Sequence, residues 1–328
     1  MPKSRKLEML LAQLNQLQRD RIQGEPVSED AIATLRQGLS SRYGVVAGQA
    51  AKQIATLELV QLAPDMVKAF YRFMTRPVET DPNCLGKAGI AKALYQMGRS
   101  EQGVFLDGIR HVQMEPVWGG KQDTAPKLRG LCALGLVRMN YPDVMTELAD
   151  LLADADPAAR IAAAQAIAYS ESDRGVPLLR LRAKVGDEPQ VLSECLAALL
   201  KLAPRRSLEF VSRYLHAPHS AQTQELVALV LGESRLPDAF ERLRDWWQKT
   251  LDPQLLRTGL LAIAMLRGDE PFQFLLSVVE SGNQPAALDA IAALSIYRQD
   301  TVLWQRLRET IEQRDDDKLR AIFERDYS

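Results

Sequence analysis

Asp154-Ala155-Asp156-Pro157-Ala158-Ala159-Arg160-Ile161-Ala162-Ala163-Ala164-Gln165-Ala166-Ile167 is the stretch on which the reading of the fold turns. Turn-forming Asp and Pro lead into a run of small apolar residues, the order in which a helix is entered. Alanine has the highest helix propensity, and a side chain of one methyl lets neighbouring helices pack closely. A second apolar pattern precedes it: Val144, Leu148, Leu151 and Leu152 recur at three- and four-residue spacing, which predicts a helix over 143–152.

The same pair of patterns returns along the chain. Small-residue segments occur at 89–94, 131–136, 162–167, 196–199, 227–231, 261–265 and 291–294. Aligned on Ala91, Ala133, Ala164, Ala197, Ala228, Ala262 and Ala292, they step by about 31 residues, with a first step longer by about 11. The excess marks an insertion at 113–123. A second helix is predicted after each, over 104–112, 143–152, 176–185, 207–215, 238–249, 271–280 and 302–313. Two-helix units in tandem predict an all-α class, a right-handed α/α superhelix.

Residues outside the alignment test its register. Asp81, Asp123, Asp154, Asp187 and Asp252 stand ten positions before the aligned alanines, and Pro218 and Gly282 break the row. Six positions after the first three aspartates stand Lys87, Arg129 and Arg160. An Asp at the turn can cap the first helix and favour its N-terminus, and the base can pair with an Asp of the adjacent repeat.

A turn Asp with a base six residues on resembles the HEAT-repeat family, and the short repeat resembles the sub-group named after phycocyanobilin lyases. The resemblance covers residues 40–314. It implies an armadillo-type solenoid in which these residues form a ladder between repeats, with second helices on the concave side. Later repeats depart from it, since Ser193, Gln224 and Thr258 replace the base. Residues 1–39 are expected to be capping helices, beginning with an amphipathic helix over 5–21 that Gly24-Glu25-Pro26 interrupts. Residues 45–75 form a degenerate repeat, and 315–328 a C-terminal cap with a short helix over 317–325.

Chemistry-bearing motifs are sparse. The formal net charge is −1, which disfavours a dedicated nucleic-acid binder. Cys84, Cys132 and Cys195 form no CxxC pair or disulfide framework, and a reducing cytoplasm is their simplest home. No uninterrupted apolar run reaches membrane-spanning length, and the start is charged and amphipathic where a secretory signal would be apolar. Metalloprotease, hydrolase-elbow, P-loop and dinucleotide-binding signatures are missing, and His216 and His219 flank a turn. No catalytic residue, metal or cofactor is therefore assigned.

The insertion departs most from the repeat. Trp118, followed by Gly119-Gly120, either folds back over a repeat junction or offers a recognition loop. Arg110, His111, Glu115 and Lys121 belong with it as candidate binding residues. A second group lies on the second helices: Arg180, Arg213, Arg244 and Trp247, with Arg182, Lys184, Arg242, Arg306 and Arg308 as further bases on these helices. They make either a basic groove or a mixed solvated surface. Trp246 and Trp247 are adjacent, so at most one is expected fully in a core. The reading that follows is a non-catalytic, cytoplasmic protein–protein interaction scaffold. The alternatives are a nucleic-acid-binding module or an enzyme on a HEAT scaffold. Resemblance suggests a bilin lyase or a DNA glycosylase, for which Asp245 beside the two tryptophans is the only fitting group.

Overall fold

The computed structural model describes residues 8–9, 11–14, 16, 27–314 and 316–327. The amphipathic helix expected over 5–21 and its break at 24–26 lie for the most part outside the described residues. The chain divides into two compact units, Met1–Glu171 and Ser172–Ser328.

The first unit holds α1 (Glu29–Leu39), α2 (Gly44–Thr56), α3 (Ala63–Met74), α4 (Leu85–Gln96) and α5 (Gln102–Ile109). A hairpin of β1 (Met114–Val117) and β2 (Gly120–Asp123) follows, then α6 (Pro126–Arg138), α7 (Val144–Leu152) and α8 (Pro157–Tyr169). The second unit holds α9 (Gly175–Val185), α10 (Pro189–Leu202), α11 (Pro204–Ser212), α12 (Ala221–Ser234), α13 (Ala239–Lys249) and α14 (Pro253–Met265). It ends with α15 (Asp269–Ser281), α16 (Gln284–Leu294), α17 (Thr301–Gln313) and α18 (Asp317–Tyr327). Each unit is an all-α stack of helix pairs, the class the repeat pattern predicts, and no helix among the described residues is long and apolar enough to cross a membrane.

The two kinds of helix pack differently because their sequences do. First helices carry small residues and approach one another closely. A methyl added at Gly89 of α4 would lie 2.7 Å from the Cα of Gly48 on α2, and one at Gly232 of α12 would lie 2.4 Å from the Ala262 carbonyl oxygen on α14. Only a residue without Cβ fits there. Second helices bury one stripe. In α3 it is Met66, Ala69, Phe70 and Phe73; in α15 it is Phe272, Leu275, Leu276 and Val279. The expected final helix exists as α18, with Leu319 and Phe323 buried and the Phe323 ring 5.6 Å from that of Trp304.

The turn residues divide their work more finely than the repeat pattern suggests. Asp252 caps α14, accepting from the backbone N–H groups of Gln254 and Leu255 at 2.8 and 3.1 Å. At α8, however, the cap is Asp156, bonded to Ala158 N at 2.8 Å, and not Asp154. In the two repeats that break the aspartate row, Ser220 and Asn283 cap α12 and α16 instead. The base of the ladder also varies. Lys87 pairs with Asp81 of its own turn, not with an adjacent repeat, and Arg160 donates to the Asp154 and Ala155 carbonyls. Arg182 Nε of α9 lies 2.8 Å from Asp187. Arg129 spans two turns of the ladder, binding Asp123 at 2.6 Å and Asp154 at 2.8 Å.

Candidate functional site

The insertion is a two-residue-turn β-hairpin. Met114 pairs with Asp123, Glu115 with Gln122, Pro116 with Lys121 and Val117 with Gly120. Trp118 and Gly119 form the turn, and Gly119 has φ +88°, a left-handed value that glycine adopts without strain. Trp118 does not fold back as a plug: its exposure is 104% of the reference value, and a methyl added at Gly119 or Gly120 would meet nothing within 4 Å. Val112, Met114 and Val117 are also exposed, so the first strand presents apolar groups, while Lys121 and Gln122 are exposed on the second.

A two-stranded hairpin is marginal by itself in water. This one is held at its base by buried polar groups. The Gln113 side chain donates to the Asp81 carbonyl at 2.8 Å and to Glu115 Oε1 at 2.7 Å. The same Glu115 oxygen accepts from Thr124 Oγ1 at 2.7 Å and from Asn83 N at 2.6 Å. Thr124 N closes the ladder onto Gln113 O at 3.0 Å, and Gln113 N donates to Asp123 Oδ1 at 3.0 Å. Asn83 and Cys84 both have positive φ, 59° and 55°, a strained turn for residues with side chains. Glu115 and Asp81 bind that turn from either side, which ties the hairpin to the N-terminus of α4.

Below this latch lie two ion pairs. Asp81 and Lys87 have side-chain exposures of 0% each and are 3.0 Å apart. Asp81 also accepts from Gly86 N and Lys87 N, so both its oxygens are bonded, while Lys87 Nζ reaches the Phe73 carbonyl at 3.3 Å. Arg129, 2% exposed, donates to the His111 carbonyl as well as to its two aspartates. Arg110, at the end of α5, binds the buried Glu147 of α7 through two nitrogens. The hairpin therefore stands on a rigid polar platform, the support a binding element needs.

Strand pairing limits how this hairpin can bind. Because Thr124 N bonds Gln113 O, alternation makes Glu115–Gln122 and Val117–Gly120 the hydrogen-bonded pairs. Pro116 then faces the outer edge of β1, where it offers no N–H. That blunts addition of another strand on this side.

The electrostatics of the base give a pH dependence with a definite sign. Burial pushes the His111 imidazole below its ordinary value, against the bond its Nε2 makes with Gln113 Oε1 at 3.2 Å. The unfolded chain binds that proton at its usual pKa of about 6.5, so stability falls as pH drops below about 6.5. For Glu115 burial works upward, but the bonds from Thr124, Gln113 and Asn83 outweigh it and hold the carboxyl low. Asp123 behaves likewise, with burial offset by Gln113 N, Ala125 N and Arg129. Their contribution is present above the ordinary carboxylate range and is lost as pH falls through the depressed values, below about 4. A melting-temperature series against pH should show both windows, and His111→Gln should flatten the upper one alone. A series that falls only below about pH 4 in both proteins would remove the His111 account.

The structure brings Arg110, His111, Glu115, Trp118 and Lys121 together at the hairpin. Arg180, Arg213, Arg244 and Trp247 belong to the second unit. Arg180 lies over the Phe210 ring at 4.2 Å, Arg213 pairs with Glu209, and Arg244 pairs with Glu241. Trp247 is committed to packing: its Nε1 donates to the Leu256 carbonyl at 3.1 Å and its ring meets Phe274 edge-on at 5.5 Å. Trp246 is buried, so Asp245 has no free aromatic face beside it and the glycosylase-like grouping does not assemble. Among the described residues no cluster of three His, Cys, Asp or Glu could hold a metal ion. Gln113, Asn83 and Thr124 went unread in the sequence. The available signal is that Gln113 opens the insertion, Thr124 follows it and Asn83 closes an Asp-Pro-Asn turn.

The fold and site thus define a helical-repeat protein bearing an exposed aromatic hairpin. Residues 120–199, from β2 into α10, match the family model described as HEAT repeats. A solved structure, the complex of CpcE and CpcF of phycocyanin lyase from Nostoc sp. PCC7120, is similar at 15% sequence identity and a TM-score of 0.37. That similarity covers 69% of this chain and 88% of that chain. The comparison with curated proteins returned no match.

Proposed function

We propose that this chain is a non-catalytic protein-interaction scaffold of the cytoplasm, and that its first unit captures a partner with the Trp118 hairpin. The observation that carries the reading is a fully exposed indole at the tip of a hairpin whose base is fixed by buried ion pairs and hydrogen bonds. Large exposed apolar groups on rigid supports mark contact sites, and tryptophan is enriched among the residues that dominate binding energy. HEAT repeats are suited to such a role because a stack of helix pairs presents surface without requiring a catalytic centre. The partner is a protein with an apolar pocket that admits an indole.

Trp118→Ala should weaken partner capture by about 2–4 kcal/mol, the range of a truncated hot spot. Its effect on thermal stability should stay within about 0.5 kcal/mol, because the side chain touches nothing in the folded chain. Affinity capture from native lysate, with and without nuclease, together with melting curves, measures both. A large loss of stability with intact capture would sink the reading.

A further inference from the structure

The second helices of the second unit carry a charge that the chain as a whole conceals. Helix α9, α11 with the turn Arg213–Leu215, and α13 each bear three Lys or Arg, against Glu209, Glu241 and Asp245 within them and Asp187 and Asp173 beside them, which pair with Arg182 and Arg206. The net charge of the whole chain is −1. The helices adjoin in succession, α9 with α11 and α11 with α13. Arg180 of α9 covers Phe210 of α11, and Tyr214 reaches back to the Ala183 carbonyl at 3.0 Å. Between α11 and α13 runs a cleft of about 300 Å³, lined by Ser212, Arg213, Leu215, Arg242 and Lys249 among others. Glu209 on its wall is engaged by Arg213 at 2.6 Å, which leaves Arg242 and Lys249 exposed against Asp245.

Two further observations set the chemistry of what would lie there. Leu181 and Val185, one turn apart on α9, are 62% and 69% exposed, and Leu251 just after α13 is 92% exposed. They interleave aliphatic surface with the cations. The next second helix, α15, reverses the sign: it carries Asp269, Glu270 and Glu280 and no base. Phe274 packs on Phe240 and Trp247 and so holds α15 against α13. The basic surface is therefore short and ends at an acidic one. A nucleic-acid backbone continues with the same charge, gains nothing from exposed leucine, and would be repelled at α15. A short polypeptide segment matches all three features.

We infer that the α9–α11–α13 face of the second unit is a docking surface for an acidic polypeptide segment with interleaved aliphatic side chains. It is independent of the Trp118 hairpin, so either site can fail without the other. The probes are a fluorescein-labelled peptide repeating Asp-Glu-Leu, a control repeating Asp-Glu-Ser, and single-stranded oligothymidylate, titrated by fluorescence anisotropy against the full chain. The Asp-Glu-Leu peptide should bind saturably and more tightly than either other probe. Arg242→Glu with Lys249→Glu should weaken it about tenfold or more. Leu181→Ser with Val185→Ser should bring it down to the level of the Asp-Glu-Ser control, and Trp118→Ala should leave it unchanged. All these positions are exposed, and melting curves confirm that the variants fold. The inference is overturned if the Asp-Glu-Leu peptide shows no saturable binding, or if neither double variant weakens it. Tighter binding of oligothymidylate with a steep salt dependence would also overturn it, in favour of a nucleic-acid surface.

Discussion

Arg129→Met is expected to destabilise the first unit by about 3–5 kcal/mol, the cost of removing one partner from a buried ion pair. The guanidinium is 2% exposed and lies between two carboxylates, 2.6 Å from Asp123 and 2.8 Å from Asp154. Its loss leaves both anions in a partly buried site with no counter-ion and also frees the His111 carbonyl. Methionine fills similar volume, so the effect reads charge and hydrogen bonding more than cavity formation. Arg129→Lys should recover only part of the loss, because a single ammonium cannot match the planar fork that reaches both aspartates. Urea unfolding followed by circular dichroism measures the series. A loss below about 1 kcal/mol for Arg129→Met would show that the ladder is a surface feature and not a joint between repeats.

Lys87→Met is expected to cost a similar amount, about 3–5 kcal/mol, for a related reason. Asp81 is wholly buried, and among the described residues its cationic partner is the Lys87 ammonium at 3.0 Å. The backbone N–H groups of Gly86 and Lys87 remain bonded to it, but they do not cancel a charge. Asp81→Asn combined with Lys87→Met should recover most of the loss, since removing both charges leaves neither stranded. The coupling between the two substitutions is the quantity to measure. Equal losses in the single and double variants would mean that packing, not charge, controls the site. The pair also underlies the hairpin, because the Gln113 side chain donates to the Asp81 carbonyl. The single variant should therefore loosen the latch that positions Trp118.

Much of the architecture is legible because the first and second helices of each pair differ in residue size as well as in periodicity. Alanine runs such as 162–167 locate the first helices, and spacings such as Val144, Leu148 and Leu151 locate the second ones. Gly48 and Gly89 meet where only the absence of a Cβ permits contact, a reason for the small-residue rows that is visible only in three dimensions. The turn aspartates were found by register, yet their roles were not. Asp154 and Asp156 are two residues apart and chemically identical, and only the structure assigns the ladder to one and the cap to the other. The insertion was located by its length. Its hairpin was hidden because strands of four residues with Pro116 in one and no alternating apolar face give a weak strand signal. Exposure of Trp118 could not be read from sequence at all, since a tryptophan in a Gly-rich loop suits a plug as well as a tip. Trp247 shows the reverse case: its neighbour's burial left it free in principle, and a bond to the Leu256 carbonyl with an edge contact to Phe274 uses it structurally.

The most direct test of the scaffold reading places a photo-crosslinking side chain at the hairpin tip. Trp118→p-benzoylphenylalanine and, as a control at an exposed position of the other unit, Val302→p-benzoylphenylalanine would be irradiated in native lysate with and without nuclease. The account expects a discrete protein adduct from position 118 that resists nuclease and is missing from position 302. No adduct at 118, the same adducts at both positions, or an adduct lost to nuclease would contradict the claim that the hairpin captures a protein partner.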